Sequence, residues 1–167
     1  YNALRKSRAF KLFLNDIQKG LAHAYIISTT DEDVLVDFFR LLACAVFCEK
    51  GTACGECVKC KTILDLNDPD VIEINLEKAR IKVDKVKDLV SSVSIKPVNG
   101  ERKLYYINCA DLMARDAQNK LLKTLEEPPE GVTIFLGTAN LSALLDTVKS
   151  RCRIIPIDRF DFDTVYA

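Results

Sequence analysis

The sequence predicts an α/β fold in which a five-stranded parallel sheet lies between helices, with a compact cysteine cluster set between two of those helices. Three observations carry this. Short apolar runs rich in β-branched and aromatic residues alternate with longer segments of helical period. At 167 residues and 49% apolar composition, the chain is long enough for one sizeable domain with its own core. Four cysteines, Cys48, Cys54, Cys57 and Cys60, fall in the spacing C-x5-C-x2-C-x2-C.

Taken in order, residues 2–19 place Leu4, Phe10, Leu12, Phe13 and Ile17 at helical spacing, and Gly20 ends that helix. Ala24 to Ser28 reads as a buried strand. Asp33 to Phe47 reads as a long apolar helix, and residues 58–66 as another. Asn67-Asp68-Pro69-Asp70 is a turn, and Val71 to Ile74 a second strand. Asp84 is placed to cap a helix running to about Ser94, and Pro97 to Gly100 makes the next turn. Leu104 to Asn108 is a third strand. Ala114 to Glu126 is a helix stopped by Pro128-Pro129. Val132 to Gly137 and Arg153 to Ile157 complete the strands. Strands joined by helices imply right-handed crossovers and helices on both faces of the sheet. The sequence contains no internal repeat and no low-complexity segment.

The bulk numbers exclude some functions. Lys and Arg total 24 against 24 Asp and Glu, so there is no overall basic footprint for nucleic acid, although a local one stays open. No run approaches the length of a membrane span, so no membrane partner is expected. Together with the thiols outside any disulfide-like framework, this gives a cytoplasmic expectation. The chain begins at Tyr1 and ends in a polar-aromatic tail at Arg159-Phe160-Asp161-Phe162, and it is expected to be a piece of something longer.

On residues alone the cysteine cluster has three readings. Two Cys-x-x-Cys steps sharing Cys57 suit a structural zinc ion held by four thiolates, each at about 2.3 Å, and Gly51 and Gly55 allow the tight turns this needs. A disulfide framework is disfavoured because no signal peptide precedes the cluster and the rest of the chain reads as intracellular. An iron–sulfur or redox-active site would want a further Cys-Pro beyond Cys60, where Lys61-Thr62-Ile63-Leu64 stands. Cys44 and Cys109 read as core residues.

The first strand leads into Ser28-Thr29-Thr30-Asp31-Glu32-Asp33-Val34-Leu35-Val36. A phosphate-binding loop at this place would carry G-x-x-x-x-G-K-[ST], with glycines for backbone approach and a lysine for charge. This stretch has neither. Its three acids read better as complements of a helix dipole. The third strand ends in Asn108-Cys109, where an ATPase would need a magnesium-binding aspartate and a glutamate for the attacking water.

The run Asn119-Lys120-Leu121-Leu122-Lys123-Thr124-Leu125-Glu126-Glu127-Pro128-Pro129 closely resembles a signature of clamp-loader AAA+ subunits. Thr138-Ala139-Asn140 resembles their sensor-1 turn, and Ser150-Arg151-Cys152 their Ser-Arg-Cys motif. The segment His23 to Cys48 lies on the bacterial pattern without gaps, with Leu35 at the lysine position. The cysteines match the zinc module that bacterial clamp-loader subunits insert, with a first gap of five residues that is shorter than usual.

The resemblance implies an AAA+ P-loop-NTPase-like core over residues 1–158, the zinc module at about 48–66, and, from 159 to 167, the start of a linker to a lid domain. Degraded phosphate and magnesium motifs beside an intact Ser-Arg-Cys resemble the delta prime type, a non-hydrolysing stator. That implies gamma/tau and delta subunits, the sliding clamp and, through the assembled complex, primer-template DNA as partners. It implies Zn2+ as structural cofactor and no bound ATP. Arg151 would serve as an arginine finger in trans, with Ser150 and Cys152 as motif neighbours. A gamma/tau-like ATPase with a divergent nucleotide site is the alternative.

Read locally, Arg151 is also an ordinary basic rim residue or surface ion pair. His23 reads as packed or capping, Glu126 and Glu127 as structural or interface residues. Arg5, Lys6, Arg8 and Lys11 make a modest basic N-terminal face, most simply solvated.

Overall fold

The computed structural model describes residues 2–98 and 101–157. The expected linker at 159–167 and the second half of the turn at Pro97–Gly100 lie outside the described residues. Five parallel strands are ordered β2-β3-β4-β1-β5: β1 Ala24–Thr29, β2 Val71–Ile74, β3 Lys103–Ile107, β4 Val132–Thr138 and β5 Arg153–Ile157. All five match the expected runs, with ends within a residue. Each is an apolar run bounded by turn residues, and buried parallel strands show that pattern. β4 is buried along its whole length, while β2 and β5 form the edges.

Alternate strand residues feed two cores. Tyr25, Ile27, Leu104, Tyr106 and Phe135 face the helices α2 (Arg8–Lys19) and α3 (Leu35–Phe47). Ala24, Ile26, Tyr105, Ile107, Ile134 and Leu136 face α5 (Val83–Ser92) and α6 (Arg115–Glu126). The first core is aromatic at its centre: Phe39 stacks on Tyr106 at 4.6 Å and Tyr25 on Phe135 at 5.2 Å. Tyr106 needs room above its hydroxyl, and Gly137 supplies it, since a Cβ there would sit 2.3 Å from that oxygen.

Three local expectations are corrected and one element is added. The first helix is two, α1 (Asn2–Arg5) and α2, because Ser7 turns the chain: its hydroxyl donates to the Leu4 carbonyl at 2.6 Å and accepts from the Phe10 N–H at 3.1 Å. A 3-10 turn at Glu32–Val34 precedes α3, so the apolar helix starts at Leu35. Lys82, not Asp84, sits at the N-cap of α5, and Asp84 lies in its first turn. A one-turn helix α7 (Asp146–Lys149) has no counterpart in the sequence pattern. Among the described residues no helix is long and apolar enough to cross a membrane.

Candidate functional site

The four cysteines converge because two helix ends meet around a turning loop. Cys48 closes the C-terminus of α3, its N–H donating to the Cys44 carbonyl at 2.7 Å. Cys57 caps the N-terminus of α4 (Val58–Leu64), accepting from the Cys60 N–H at 3.5 Å. Between them Gly51, Ala53 and Gly55 all take positive φ, which brings Cys54 back over the helix ends. The four Sγ atoms lie within 4.8 Å of one another, and Cys57 to Cys48 is 4.0 Å. A tetrahedral zinc with bonds of about 2.3 Å requires sulfurs about 3.8 Å apart, so the geometry fits that ion.

The electrostatics fit as well. Burial pushes the Cys48 thiol up, but N–H groups of Cys54, Thr52 and Lys50 outweigh it and bring the thiol down to about 5. The Cys57 thiol is lowered by the Cys60 and Glu49 N–H groups. Cys54 Sγ accepts from the Glu56 and Cys57 N–H groups at 3.4 and 3.3 Å. Cys60, more enclosed, is pushed upward by burial. N–H groups aimed at sulfur favour thiolate, the form that binds metal. All four cysteines are free thiols. Cys44 stands outside the cluster as expected: it is buried, donates to the Cys60 carbonyl at 3.9 Å, and is pushed up to about 11 by burial.

Arg5 is not part of a solvated face. Its Nε is buried without a hydrogen-bond partner, and its guanidinium lies against Gly55 in the cysteine loop. Lys6, Arg8 and Lys11 are exposed. A cation against the cysteine loop, with no carboxylate paired to it among the described residues, suits a metal–thiolate centre that carries net negative charge.

At the C-terminal ends of the strands, the acids of the exposed stretch after β1 find partners within the protein. Asp31 accepts from the Asp33 N–H at 3.0 Å and caps the 3-10 turn. Glu32 and Asp33 instead reach across to Lys78, at 3.3 and 3.0 Å, and this pair keeps the lysine's pKa raised. Leu35 is fully buried. Asn108, also fully buried, accepts from the Tyr106 hydroxyl at 2.8 Å and donates to the Asn75 carbonyl at 3.3 Å. Asn75 returns a bond to the Asn108 carbonyl at 3.1 Å. Cys109 takes a left-handed backbone, donates to Glu32 at 3.8 Å, and is pushed up to about 11 by burial. Thr138 donates to Asp111 at 2.9 Å and accepts from the Asn140 N–H at 2.9 Å.

Ser150, Arg151 and Cys152 follow α7 on the opposite face of the sheet from the cysteine cluster. Ser150 is exposed. Cys152 is half-buried rather than fully buried, and burial pushes its thiol up to about 12. Arg151 is exposed but held by three oxygens: Glu126 at 2.8 Å, the Ser150 hydroxyl at 3.0 Å and the Thr147 carbonyl at 3.3 Å. Glu126 thus has an intramolecular partner that its place in the sequence does not announce. His23 is exposed; only its carbonyl works structurally, accepting from the Ile134 N–H at 3.0 Å.

A family model described as "DNA polymerase III, delta subunit" matches residues 5–161. Over 135 residues the chain is 42% identical to DNA polymerase III subunit tau/gamma of Haemophilus influenzae, covering 79% of this chain and 20% of that protein. Over 152 residues it is 37% identical to DNA polymerase III subunit delta' of Bacillus subtilis, covering 89% of this chain and 46% of that protein. The chain therefore spans less than half the length of these relatives. A DNA polymerase III gamma subunit-related protein from Thermotoga maritima shares the fold, with a TM-score of 0.64 at 24% identity over 88% of this chain and 45% of that one.

Proposed function

Since the chain belongs to the DNA polymerase III delta subunit family, we propose that it is the AAA+ core, residues 1–158, of a delta prime-type clamp-loader subunit that hydrolyses no ATP itself. In this reading it joins gamma/tau and delta subunits, supports placement of the sliding clamp on primer-template DNA, and donates Arg151 to the ATP site of a neighbouring ATPase subunit. The observation that carries it is the acid-lined stretch after β1. Glu32 and Asp33, in the stretch that follows β1, are tied to Lys78, and their negative charge disfavours phosphate there. The buried Leu35 and Asn108 offer neither the charge nor the free ligand atoms that phosphate and magnesium need.

Arg151 suits a finger because guanidinium is permanently charged and forks onto phosphate oxygens. Such a finger is worth about 10³–10⁵ in rate. Cys48, Cys54, Cys57 and Cys60 would hold one structural Zn2+, whose binding stabilises a loop too short to fold alone.

Titrating the full-length protein with a fluorescent ATP analogue, then assembling it with gamma/tau and delta subunits, tests the reading. No binding to this subunit and a large loss of DNA-stimulated ATPase on Arg151→Ala are expected. ATP binding and turnover by this subunit alone would favour the gamma/tau-like ATPase that the Haemophilus influenzae similarity keeps in view. Unchanged ATPase with Arg151→Ala would remove the finger.

A further inference from the structure

We infer that Arg5 is the counter-charge of the metal–thiolate centre, a positioning residue that fastens the N-terminal helix to the cysteine module. The inference rests on the zinc reading of the four cysteines. Zn2+ with four thiolates carries a net charge of about −2. A centre half-enclosed by protein holds that charge only if nearby dipoles or cations offset the lost hydration. The N–H groups aimed at the sulfurs supply part of it. Arg5 is placed to supply the rest.

Several observations converge on this residue. Arg5 is the last residue of α1, where a cation also complements the helix C-terminus. Its neighbour Leu4 is buried in the same core as Cys48, Ala53 and Cys60, which fixes where the side chain can reach. The guanidinium Nη2 lies 2.8 Å from the point a Cβ on residue 55 would occupy, so it rests on the loop between Cys54 and Cys57 in space that only glycine leaves open. Arg5 is within electrostatic reach of Cys44, one turn before Cys48. Its Nε is buried without a hydrogen-bond partner, and among the described residues no carboxylate pairs with it. A partly enclosed guanidinium whose buried Nε has no partner is costly to keep, and an anionic centre beside its loop offsets that cost.

The turn at Ser7 gains a purpose from this. It breaks the first helix, and α1 packs against α3 with Arg5 on the module. Partners of metal ligands and their surroundings typically tune metal affinity by about 10–100-fold.

The test is zinc affinity of the full-length protein by competition with a chromogenic chelator, for wild type, Arg5→Met and Arg5→Lys, at low and high salt. Arg5→Met keeps the stem and removes the charge, and a roughly tenfold or greater loss of affinity is expected. Arg5→Lys should recover part of the loss, and the gap between wild type and Arg5→Met should shrink at high salt as the charge is screened. A role in packing alone would give no recovery with lysine and no salt dependence, and either result overturns the inference. Should Arg5→Met not fold, Arg5→Gln is read in its place with the same expectation. Wild-type protein that takes up no zinc would defeat the zinc reading itself. One zinc in wild type and an equal affinity in Arg5→Met would defeat only the role of Arg5.

Discussion

Replacing Asn108 by aspartate changes one atom group in a fully buried shell, and its outcome can be worked through. The Asn108 Nδ2 donates to the Asn75 carbonyl at 3.3 Å, while Oδ1 accepts from Tyr106 at 2.8 Å. An ionised aspartate at this position would keep the second bond and turn the first into a carboxylate oxygen facing a carbonyl. It escapes by taking a proton, which restores a donor toward Asn75. The cost at pH 7 is then capped by that protonation: about 1.36 kcal/mol per pH unit over the roughly three units above the usual aspartate value near 3.9, or about 4 kcal/mol. At pH 5 the same cap is only about 1.5 kcal/mol.

The folded-state pKa of the introduced aspartate is raised, so the folded chain binds the extra proton more tightly than the unfolded chain. Stability lost at neutral pH returns as pH falls toward the unfolded value. For a domain of this size, the melting temperature of Asn108→Asp should lie about 8–16 °C below wild type at pH 7, and about 3–6 °C below at pH 5. Thermal denaturation of both proteins followed by circular dichroism at the two pH values measures this. A gap that stays constant or widens on acidification, or none at pH 7, would refute the hydrogen-bond assignment.

Two more outcomes follow from the geometry. Zinc binding at pH 7 should release at least one proton, from Cys60, whose thiol burial raises, while Cys48 at about 5 is already ionised; calorimetry in buffers of different ionisation enthalpy counts it, and affinity should fall as pH drops below 7 and more steeply below about 5. Gly137→Ala should cost about 1–3 kcal/mol in chemical denaturation, because its Cβ would meet the Tyr106 hydroxyl and ring; a neutral effect would mean that Tyr106 can move.

The strands and the cysteine cluster are legible because their signals are local. Apolar runs between turn residues mark β1 to β5, and short cysteine spacings force the sulfurs together. The break at Ser7 is hidden because the apolar spacing of Leu4, Phe10 and Phe13 runs through it, although a serine hydroxyl is a common helix start. α7 is too short to show a period. The ties that define the other sites join residues far apart in the chain: Lys78 to Asp33, Arg151 to Glu126, Asn108 to Asn75. Only the strand order β2-β3-β4-β1-β5, which no local pattern specifies, brings the segments after β1, β2 and β3 within bonding reach of one another. Arg5 is visible as a charge, but its direction depends on the turn that follows it.

The bridge from Lys78 to Glu32 and Asp33 also bears on motion. A ligand can drive a conformational change only by as much as it prefers one state over another. On the proposed reading, a stretch whose acids already hold Lys78 offers nucleotide little such preference, and the start of α3 and the loop after β2 would stay joined through a neighbour's cycle. In the proposed ring of moving subunits, such a member would set the reference against which the others are displaced.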